Sequence, residues 1–329
     1  MKVIIPVAGS GTRLRPHTFT KPKVLMNVAG KPMIYHIVNQ LVKDRKANSI
    51  IFITGQMSDV FKEYILTTFK YNFEFIEQKE PLGLGHAIYC AKKSFLKNED
   101  SLIILGDTLF DVNLKMLCFN KHSVIGTKKV DDPKRFGVVE TDSKGFITRF
   151  IEKPASKEIS KSNEAIVGIY YIKNSHKLFN ALNYIIKNNI KTKNEFQLTD
   201  ALQRLLITKF KFTTYKVKGW LDCGKPETIL ETNKYILKKI NKKYSVKGNK
   251  IIKPVFIGIN TRIQNSIIGP FTSISDGSII INSSIKECII SDNSKIENSN
   301  LKNSIIGENC FVKNYRGVLN IGDFNEVYK

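Results

Sequence analysis

Residues 2–16, KVIIPVAGSGTRLRP, place a short β-branched run directly before a glycine-bearing turn. The run from Val3 to Val7 has the apolar, branched side chains of a buried strand, and glycines at 9 and 11 let the backbone approach a ligand closely. In open α/β sheets, ligands bind at the carboxyl ends of the strands. The opening of the chain therefore predicts an α/β domain whose first turn can hold an anion.

Strand and helix patterns alternate over roughly the first 235 residues, as expected for an α/β fold with a Rossmann-like mixed or parallel sheet. Further strands are predicted at 49–53 and 102–105. Helices are predicted to begin at Pro32, near Gly85 and at Pro226, and a leucine-rich helical face lies over 198–206. The helix near Gly85 is expected to carry Ala87, Ala91 and Phe95 on one face.

A different repeat begins after about residue 255, where apolar residues recur at steps of five or six. They are Ile263, Ile268, Ile274, Ile280, Ile285, Ile290, Ile296, Leu301, Ile306 and Val312. This spacing predicts a small parallel β-helix in which each short strand points one aliphatic side chain inward. We therefore predict an α/β domain over 1–240, a linker over 241–254 and a β-helix over 255–329.

Composition narrows the function classes. The 329 residues carry a formal net charge of +23, but the lysines are spread along the whole chain, which disfavours a specific nucleic-acid surface. A basic nucleic-acid binder stays open as the non-enzymatic alternative, and DNA binding with steep salt dependence and no catalytic activity would favour it. The five cysteines form no CxxC pair, so the sequence favours a reducing, cytoplasmic setting over a disulfide framework or zinc site. No apolar window approaches the ~20 residues of a membrane span.

The glycine turn is neither a Walker A loop nor a dinucleotide fingerprint, since it lacks the GK[ST] ending and the spacing of the latter. The whole run, Gly-x-Gly-Thr-Arg-Leu-x-Pro with Pro-Lys downstream, resembles the signature of the sugar-1-phosphate nucleotidyltransferases. The resemblance covers most of the chain. It implies that Arg13 and Lys23 neutralise a nucleoside triphosphate and take part in catalysis. The turn residues that would contact the nucleotide are Ala8, Gly9, Gly11 and Thr12.

A second glycine-bearing loop, residues 78–87, is similar to the base-recognition loop of this family. By that resemblance Gln78 and the backbone at Gly83 would read the nucleobase, because an amide can donate and accept hydrogen bonds at once. His86 stands at a helix start, where we expect it to cap or pack rather than act as a base.

Two aspartates, Asp107 after a strand and Asp222 beside glycine, resemble the magnesium ligands of the family. Mg²⁺ bound to phosphates needs only one or two carboxylates, with the remaining ligands from substrate and water. The resemblance also implies a sugar-phosphate wall made by Gly137, Glu152, Lys153 and Ile166. There Lys153 would hold the phosphate as a catalytic residue, and Glu152 would accept hydrogen bonds from sugar hydroxyls.

The resemblance is strongest to glucose-1-phosphate thymidylyltransferases with a carboxyl-terminal left-handed β-helix. The implied activity joins a nucleoside triphosphate, with dTTP as the first choice, to glucose 1-phosphate. A uridylyltransferase or a mannose-1-phosphate guanylyltransferase stays open, since Pro6-Val7-Ala8-Gly9 departs from the usual thymidylyltransferase sequence. An acyltransferase role for the β-helix is disfavoured because no histidine follows His176. We expect the β-helix to serve homo-oligomer contacts or regulation.

Overall fold

Two structural units divide the chain in this computed structural model, which describes residues 1–44, 47–240, 242 and 244–329. The first unit consists of Met1–Gly9 and Val38–Trp220, and the second of Ser10–Ile37 and Leu221–Lys329. The stretch 241–254, predicted as a linker, includes Asn241 and Lys243, which lie outside the described residues. These units are defined by packing, so the domain boundaries predicted above at 240 and 255 stay a prediction.

Strands and helices alternate over the first three quarters of the chain. The strands are β1 (Lys2–Pro6), β2 (Asn27–Val28), β3 (Lys31–Pro32), β4 (Ser49–Thr54), β5 (Phe73–Glu77), β6 (Ser101–Ile104), β7 (Thr108–Asp111), β8 (Ser123–Lys129), β9 (Gly137–Thr141), β10 (Ile147–Glu152), β11 (Glu164–Ile172), β12 (Phe212–Lys216) and β13 (Gly219–Asp222). The helices are α1 (Met33–Asp44), α2 (Ser58–Thr68), α3 (Leu84–Cys90), α4 (Leu114–Cys118), α5 (Ser175–Lys187), α6 (Leu198–Ile207) and α7 (Pro226–Lys239). Short 3-10 turns occupy Thr12–Leu14, His17–Phe19, Lys23–Leu25, Ala91–Ser94 and Pro133–Arg135.

The first unit is built on a mixed sheet in which, within the described residues, nine strands pair. Its main path runs β10-β9-β11-β6-β1-β4-β5, and β8 joins β11 to β12. The pairs of β1 with β4 and β6 are parallel, whereas β11 pairs antiparallel with β6, β8 and β9. The three central apolar residues of β1 are fully buried, because helices and neighbouring strands cover both faces of a central parallel strand. The Rossmann-like mixed sheet is thus confirmed.

The predicted helices are present, with two differences at their ends. Helix α1 begins at Met33, and Pro32 precedes it in the short strand β3. Helix α3 ends at Cys90, so the prediction of one continuous helix through Phe95 is wrong, although Ala87, Ala91 and Phe95 all pack in the same core. The chain tightens into a 3-10 turn at Ala91–Ser94 and is extended at Phe95. The ring centroids of Phe95 and Phe179 lie 5.2 Å apart.

The carboxyl-terminal part of the second unit is a parallel β-helix with three faces. Its strands are β14 (Lys250–Ile251), β15 (Val255–Ile257), β16 (Arg262–Gln264), β17 (Ile267–Ile268), β18 (Thr272–Ile274), β19 (Ile279–Ile281), β20 (Ser284–Lys286), β21 (Ile289–Ile290), β22 (Lys295–Glu297), β23 (Asn300–Lys302), β24 (Ile305–Ile306), β25 (Phe311–Lys313), β26 (Arg316–Gly317), β27 (Asn320–Ile321) and β28 (Glu326–Tyr328). In the described coils, every third strand joins the same all-parallel sheet, an arrangement consistent with the left-handed β-helix expected. All ten aliphatic residues predicted to point inward belong to its buried core.

Asparagine and serine build the corners between the coils. Asn282, Asn298 and Asn314 adopt left-handed backbone conformations with φ of 49°, 49° and 57°, which asparagine tolerates better than most residues. Asn282 Nδ2 donates to Asn298 Oδ1 at 3.2 Å, and Asn298 Nδ2 donates to Asn314 Oδ1 at 3.4 Å. The asparagines between the isoleucines therefore stack from coil to coil, and their hydrogen bonds connect successive coils.

The second unit has a further apolar core that joins the amino-terminal segment to the β-helix. Leu14, Met26, Val28 and Met33 pack together with residues from α7 and from two strands of the β-helix. The residues that they contact are Cys223, which precedes α7, Ile229 of α7, Ile289 of β21 and Ile305 of β24. The segment that follows β1 in the second unit, Ser10–Ile37, is thus packed in one core with residues far along the chain. This segment contains the signature run and is called the signature segment below.

Among the described helices, none has the length and low charge needed to cross a bilayer.

Candidate active site

The predicted base-recognition loop follows β5 in the first unit, and hydrogen bonds hold its side chains in place. Gln78 is 8% exposed, and its Nε2 donates to Gly83 O at 3.2 Å and to His86 Nδ1 at 3.1 Å. Burial lowers the pKa of His86, so the neutral ring nitrogen accepts this bond. His86 therefore helps to set the plane of the Gln78 amide, a role that its position at a helix start did not indicate.

Gly83 allows the loop to pass close to the turn before α6. Its φ is +108°, and a Cβ there would lie 2.8 Å from Phe196 O. The backbone N–H of Gly85 donates to the same carbonyl at 2.7 Å. A side chain at 83 would be strained by both conformation and space, which explains the glycine on structural grounds alone.

The predicted sugar-phosphate residues come together at the ends of β9 and β10 and beside β11. A Cβ on Gly137 would lie 3.1 Å from Glu152 Oε2 and 3.3 Å from Ile166 Cδ1. Lys153 Nζ lies 3.2 Å from Glu152 Oε1, and Lys153 has a φ of +45°, an uncommon conformation for a non-glycine residue. The structure thus gathers Gly137, Glu152, Lys153 and Ile166 in one place within the first unit.

Thr199, at the start of α6, completes this cluster and was missed in the sequence. Its Oγ1 donates to Glu152 Oε2 at 2.8 Å, and its methyl would lie 3.0 Å from a Cβ on Gly137. The next residue, Asp200, is half-buried, and burial followed by the charge of Glu152 raises its pKa. Sequence reasoning singled out only the leucines of this helix, because apolar periodicity carries no signal for the polar residues in its first turn.

Asp107 lies just beyond the carboxyl end of β6 and accepts a hydrogen bond from Thr108 Oγ1 at 3.2 Å. Because β6 and β1 are neighbouring parallel strands, this aspartate shares a sheet edge with the turn at Ala8 and Gly9. The backbone after β6 lies close to β1 here, because the N–H of Gly106 donates to Pro6 O. A Cβ on the exposed Gly9 would meet nothing within 4 Å, so its packing does not require glycine. The open space beside it leaves room for a ligand to approach the backbone.

In the second unit, Gly11 brings two later residues of the signature segment against the turn. It has a φ of +62°, and a Cβ there would lie 2.9 Å from Thr18 Cγ2 and 3.1 Å from Lys23 Cβ. Thr18 Oγ1 donates to Gly11 O at 2.9 Å. Lys23 is buried at the start of a 3-10 turn, and Thr12 is exposed. The conformation of Gly11 therefore sets where the Lys23 backbone lies.

Arg13 and Asp222 both lie beside Gly224 in the same unit. A Cβ on Gly224 would lie 3.0 Å from Asp222 Oδ1 and 3.2 Å from Arg13 Nη2. A guanidinium suits phosphate, and a carboxylate suits a hard divalent cation. The structure thus places a cation and an anion beside the same glycine, although about two hundred residues of chain separate them.

The two predicted metal ligands supply carboxylate oxygens, which are the donors that magnesium prefers. No group of three or more His, Cys, Asp or Glu side chains gathers among residues 1–44, 47–240, 242 and 244–329. A magnesium ion bound to either aspartate would take its remaining ligands from other groups, such as phosphate and water. The oxygen donors of both residues thus fit magnesium.

Comparison with known proteins supports the sequence resemblance. The family model described as nucleotidyl transferase matches residues 2–239. The bifunctional protein GlmU of Methanococcus maripaludis is 36% identical over 271 residues, covering 82% of this chain and 61% of that protein. This chain therefore spans less than two thirds of the length of that relative. The glucose-1-phosphate thymidylyltransferase of Streptomyces griseus is 27% identical over 321 residues, covering 88% of this chain and 87% of the relative.

A solved structure shares the fold of most of this chain. UDP-glucose pyrophosphorylase complexed with UDP-glucose superposes with a TM-score of 0.61 and 25% sequence identity. The match covers 73% of this chain and 99% of that one. The resemblance noted on the signature run is thereby confirmed at the level of family and fold.

Proposed function

This chain belongs to the nucleotidyl transferase family, and from that premise we propose that it joins a nucleoside triphosphate to a sugar 1-phosphate and releases pyrophosphate. One observation carries the proposal most directly. The Arg13 guanidinium and the Asp222 carboxylate both lie beside Gly224. A metal–triphosphate complex needs a cation for its phosphates and an anion for its metal side by side.

The chemistry requires positioning more than proton transfer. The nucleophile is a phosphate oxygen of the sugar 1-phosphate, which is already an anion. As it attacks the α-phosphorus, a new P–O bond forms and the bond to the β-phosphate breaks, so that pyrophosphate leaves with the electron pair. Aligning two polyanions and neutralising their charge are therefore the main tasks of the protein.

Each task has a candidate residue. Arg13 and Lys23 neutralise the triphosphate, and Lys153 holds the sugar phosphate. Glu152, oriented by Thr199, accepts hydrogen bonds from sugar hydroxyls. Asp107 and Asp222 would hold Mg²⁺, which when bound supplies positive charge to the phosphates. Ala8, Gly9, Gly11 and Thr12 line the backbone side of the nucleotide, and Gln78 and Gly83 bind the base.

We propose dTTP and glucose 1-phosphate as the substrates. The thymidylyltransferase of Streptomyces griseus supports this choice, because the match spans most of both chains and so extends into the β-helix of this one. UTP is the second candidate, since the superposed structure is a UDP-glucose pyrophosphorylase. Both proteins are named for glucose, which favours glucose over mannose.

A pyrophosphate-release assay with magnesium tests these substrates directly. The nucleotides are dTTP, UTP, GTP, ATP and CTP, and each is paired with glucose, mannose, galactose and N-acetylglucosamine 1-phosphates. We expect the pair of dTTP and glucose 1-phosphate to have the highest kcat/KM. A higher value for UTP would favour the second candidate, and release from no pair would contradict the proposed activity.

The variant Asp107→Asn tests the metal assignment. We expect kcat to fall by about a hundredfold or more, since removing a group that stabilises transition-state charge has effects of this size. Asp59→Asn, which changes an exposed carboxylate on α2, is the matched control. Normal turnover of Asp107→Asn at saturating substrates would remove this residue from the metal site.

A further inference from the structure

The last turns of the β-helix hold the signature segment through a buried carboxylate. The Asp323 side chain is 3% exposed and accepts a hydrogen bond from the backbone N–H of Glu308 at 2.7 Å. Its second oxygen accepts from Thr20 Oγ1 at 2.5 Å and lies 3.3 Å from Lys21 Nζ. Lys21 also forms an ion pair with Glu308. The carboxylate is thus satisfied partly by its own β-helix and partly by the signature segment.

Two further contacts extend this attachment. His17, which is 2% exposed, hydrogen-bonds through Nε2 to Asn320 Oδ1. A Cβ on Gly322 would lie 3.0 Å from Pro16 O and 3.2 Å from Pro16 Cβ, so the backbone at 322 packs directly on Pro16. Both ends of the stretch 16–21 therefore contact the β-helix: Pro16 and His17 at Gly322 and Asn320, and Thr20 and Lys21 at Asp323.

These residues stand between the two cations assigned to the triphosphate. Arg13 lies three residues before Pro16, and Lys23 lies two residues after Lys21. Thr18, in the middle, contacts the Gly11 position that also meets Lys23. A shift of 16–21 would therefore move the backbone at both Arg13 and Lys23.

Burying a carboxylate costs free energy, which its hydrogen bonds and ion pair offset. A gain in net stability is therefore a weak explanation for the buried Asp323. A buried, fully hydrogen-bonded charge is more effective at selecting one geometry. The contacts of Asp323 described above involve the signature segment and none of the residues assigned to the sugar phosphate. We therefore expect Asp323 to affect binding of the nucleotide and not binding of the sugar 1-phosphate.

We propose that Asp323 is a positioning residue for the nucleotide: it fixes residues 16–21 and through them the places of Arg13 and Lys23. The β-helix is then part of the triphosphate site rather than an appended module. This inference rests on the proposed function, because it takes Arg13 and Lys23 as the groups that bind the triphosphate.

Asp323→Asn and Lys21→Met test the contact from its two sides. Each keeps a side chain of similar size and removes one charge. We expect the KM for the nucleoside triphosphate to rise by about tenfold, the size of effect of losing a charge-assisted hydrogen bond, while the KM for the sugar 1-phosphate stays within about twofold. The double variant should lose little more than either single one, because both changes break the same contact.

Glu297→Gln is the matched control, since Glu297 pairs with Lys295 on the β-helix and its ion pair does not involve residues 10–37. Circular dichroism melting of every variant shows whether the fold is retained. If Asp323→Asn fails to fold, Lys21→Met still tests the contact, because it leaves the β-helix sequence unchanged. Folded variants with an unchanged nucleotide KM, or with equal rises in both KM values, would overturn the inference.

Calorimetric binding of the triphosphate with Mg²⁺ separates this inference from the proposed function. Wild-type protein that binds the triphosphate but releases no pyrophosphate would contradict the activity, and weaker binding by both variants would still support the role of Asp323. Wild-type protein that neither binds nor reacts would overturn both. Normal activity in wild type and variants alike would overturn only the positioning role.

Discussion

Gly137 is a residue whose lack of a side chain shapes the proposed sugar site. Its position faces the Thr199 methyl at 3.0 Å, Glu152 Oε2 at 3.1 Å and Ile166 Cδ1 at 3.3 Å, measured from an added Cβ. These distances are tighter than ordinary van der Waals contact, so a methyl group would push the carboxylate aside. The backbone φ is not in the left-handed region, so the effect of alanine would come from space alone.

We therefore expect Gly137→Ala to raise the KM for the sugar 1-phosphate by about tenfold and to leave the nucleotide KM nearly unchanged, at a cost in stability of about 1 kcal/mol. Steady-state kinetics with each substrate varied in turn measures both constants. Thr199→Ser keeps the hydroxyl bonded to Glu152 and removes the methyl. The double variant that combines it with Gly137→Ala should therefore recover part of the lost affinity for the sugar 1-phosphate. No recovery would show that the crowding at Thr199 is not the cause.

His17 links stability to pH. Burial lowers its pKa below the ordinary value of 6.5, an effect larger than the opposing ones of the Asn320 hydrogen bond and the Asp323 charge, while Lys21 lowers the pKa further. In the unfolded chain the imidazole takes up a proton near pH 6.5, whereas in the folded protein it does so only at lower pH. The stability that His17 contributes is thus complete above pH 6.5 and is lost as the pH falls through the window below it.

His17→Gln should accordingly make the pH dependence of unfolding shallower. For one proton, the difference in slope is at most about 1.4 kcal/mol per pH unit. Urea unfolding of wild type and variant at several values between about pH 7 and pH 5 measures this slope. His176→Gln, at an exposed position on α5, is the matched control. Identical slopes for wild type and His17→Gln would show that His17 takes up its proton equally in both states.

At the scale of elements, the β-helix is the clearest case of sequence dictating structure. Neighbouring residues of β17 point to opposite faces, so Ile268 is fully buried whereas Ile267 is 42% exposed. The inward position repeats in each coil, and the aliphatic residues stack into one narrow core. A single coil has too little apolar surface to fold by itself, and stability comes from the stack.

The pair Ile268→Ala and Ile267→Ala tests this account with identical chemistry at adjacent positions. We expect the buried change to lower the free energy of unfolding by about 2–5 kcal/mol and the exposed change by less than about 1 kcal/mol. Chemical denaturation followed by circular dichroism measures both. Equal effects would contradict the assignment of the two faces.

Element ends were less predictable than element types. The periodic apolar pattern located the helix that begins near residue 84, but it did not show that the helix tightens after Cys90. Beyond that change, Phe95 packs on Phe179, which lies far along the chain. Local patterns report which residues prefer to be buried, and tertiary contacts decide where the backbone leaves the helix.

At the scale of the whole molecule, the signature segment and the β-helix share one apolar core. Leu14, Met26 and Val28 pack with Ile289 and Ile305. A chain that ends at residue 240 would lose both isoleucines and leave this apolar surface exposed.

We therefore expect the fragment 1–240 to bind a hydrophobic dye and to lose most of its affinity for the triphosphate, because Arg13 and Lys23 lie in the segment that loses support. Dye fluorescence and calorimetry on fragment and full chain provide the comparison. A fragment that binds nucleotide as tightly as the full chain, with no added dye binding, would show that the α/β part does not depend on the β-helix.

Much of this protein could be predicted from the sequence by itself, because the deciding signals are local. The β-branched run and glycine turn at residues 2–16, and the isoleucine repeat after 255, each specify their own element through side-chain periodicity. The signature run also carries enough specific residues to identify the family. Only the tertiary structure revealed that His17 meets Asn320, a contact across 303 residues, and that Thr199 orients Glu152. Such pairings depend on how distant elements pack, and no period or motif in the intervening chain encodes them.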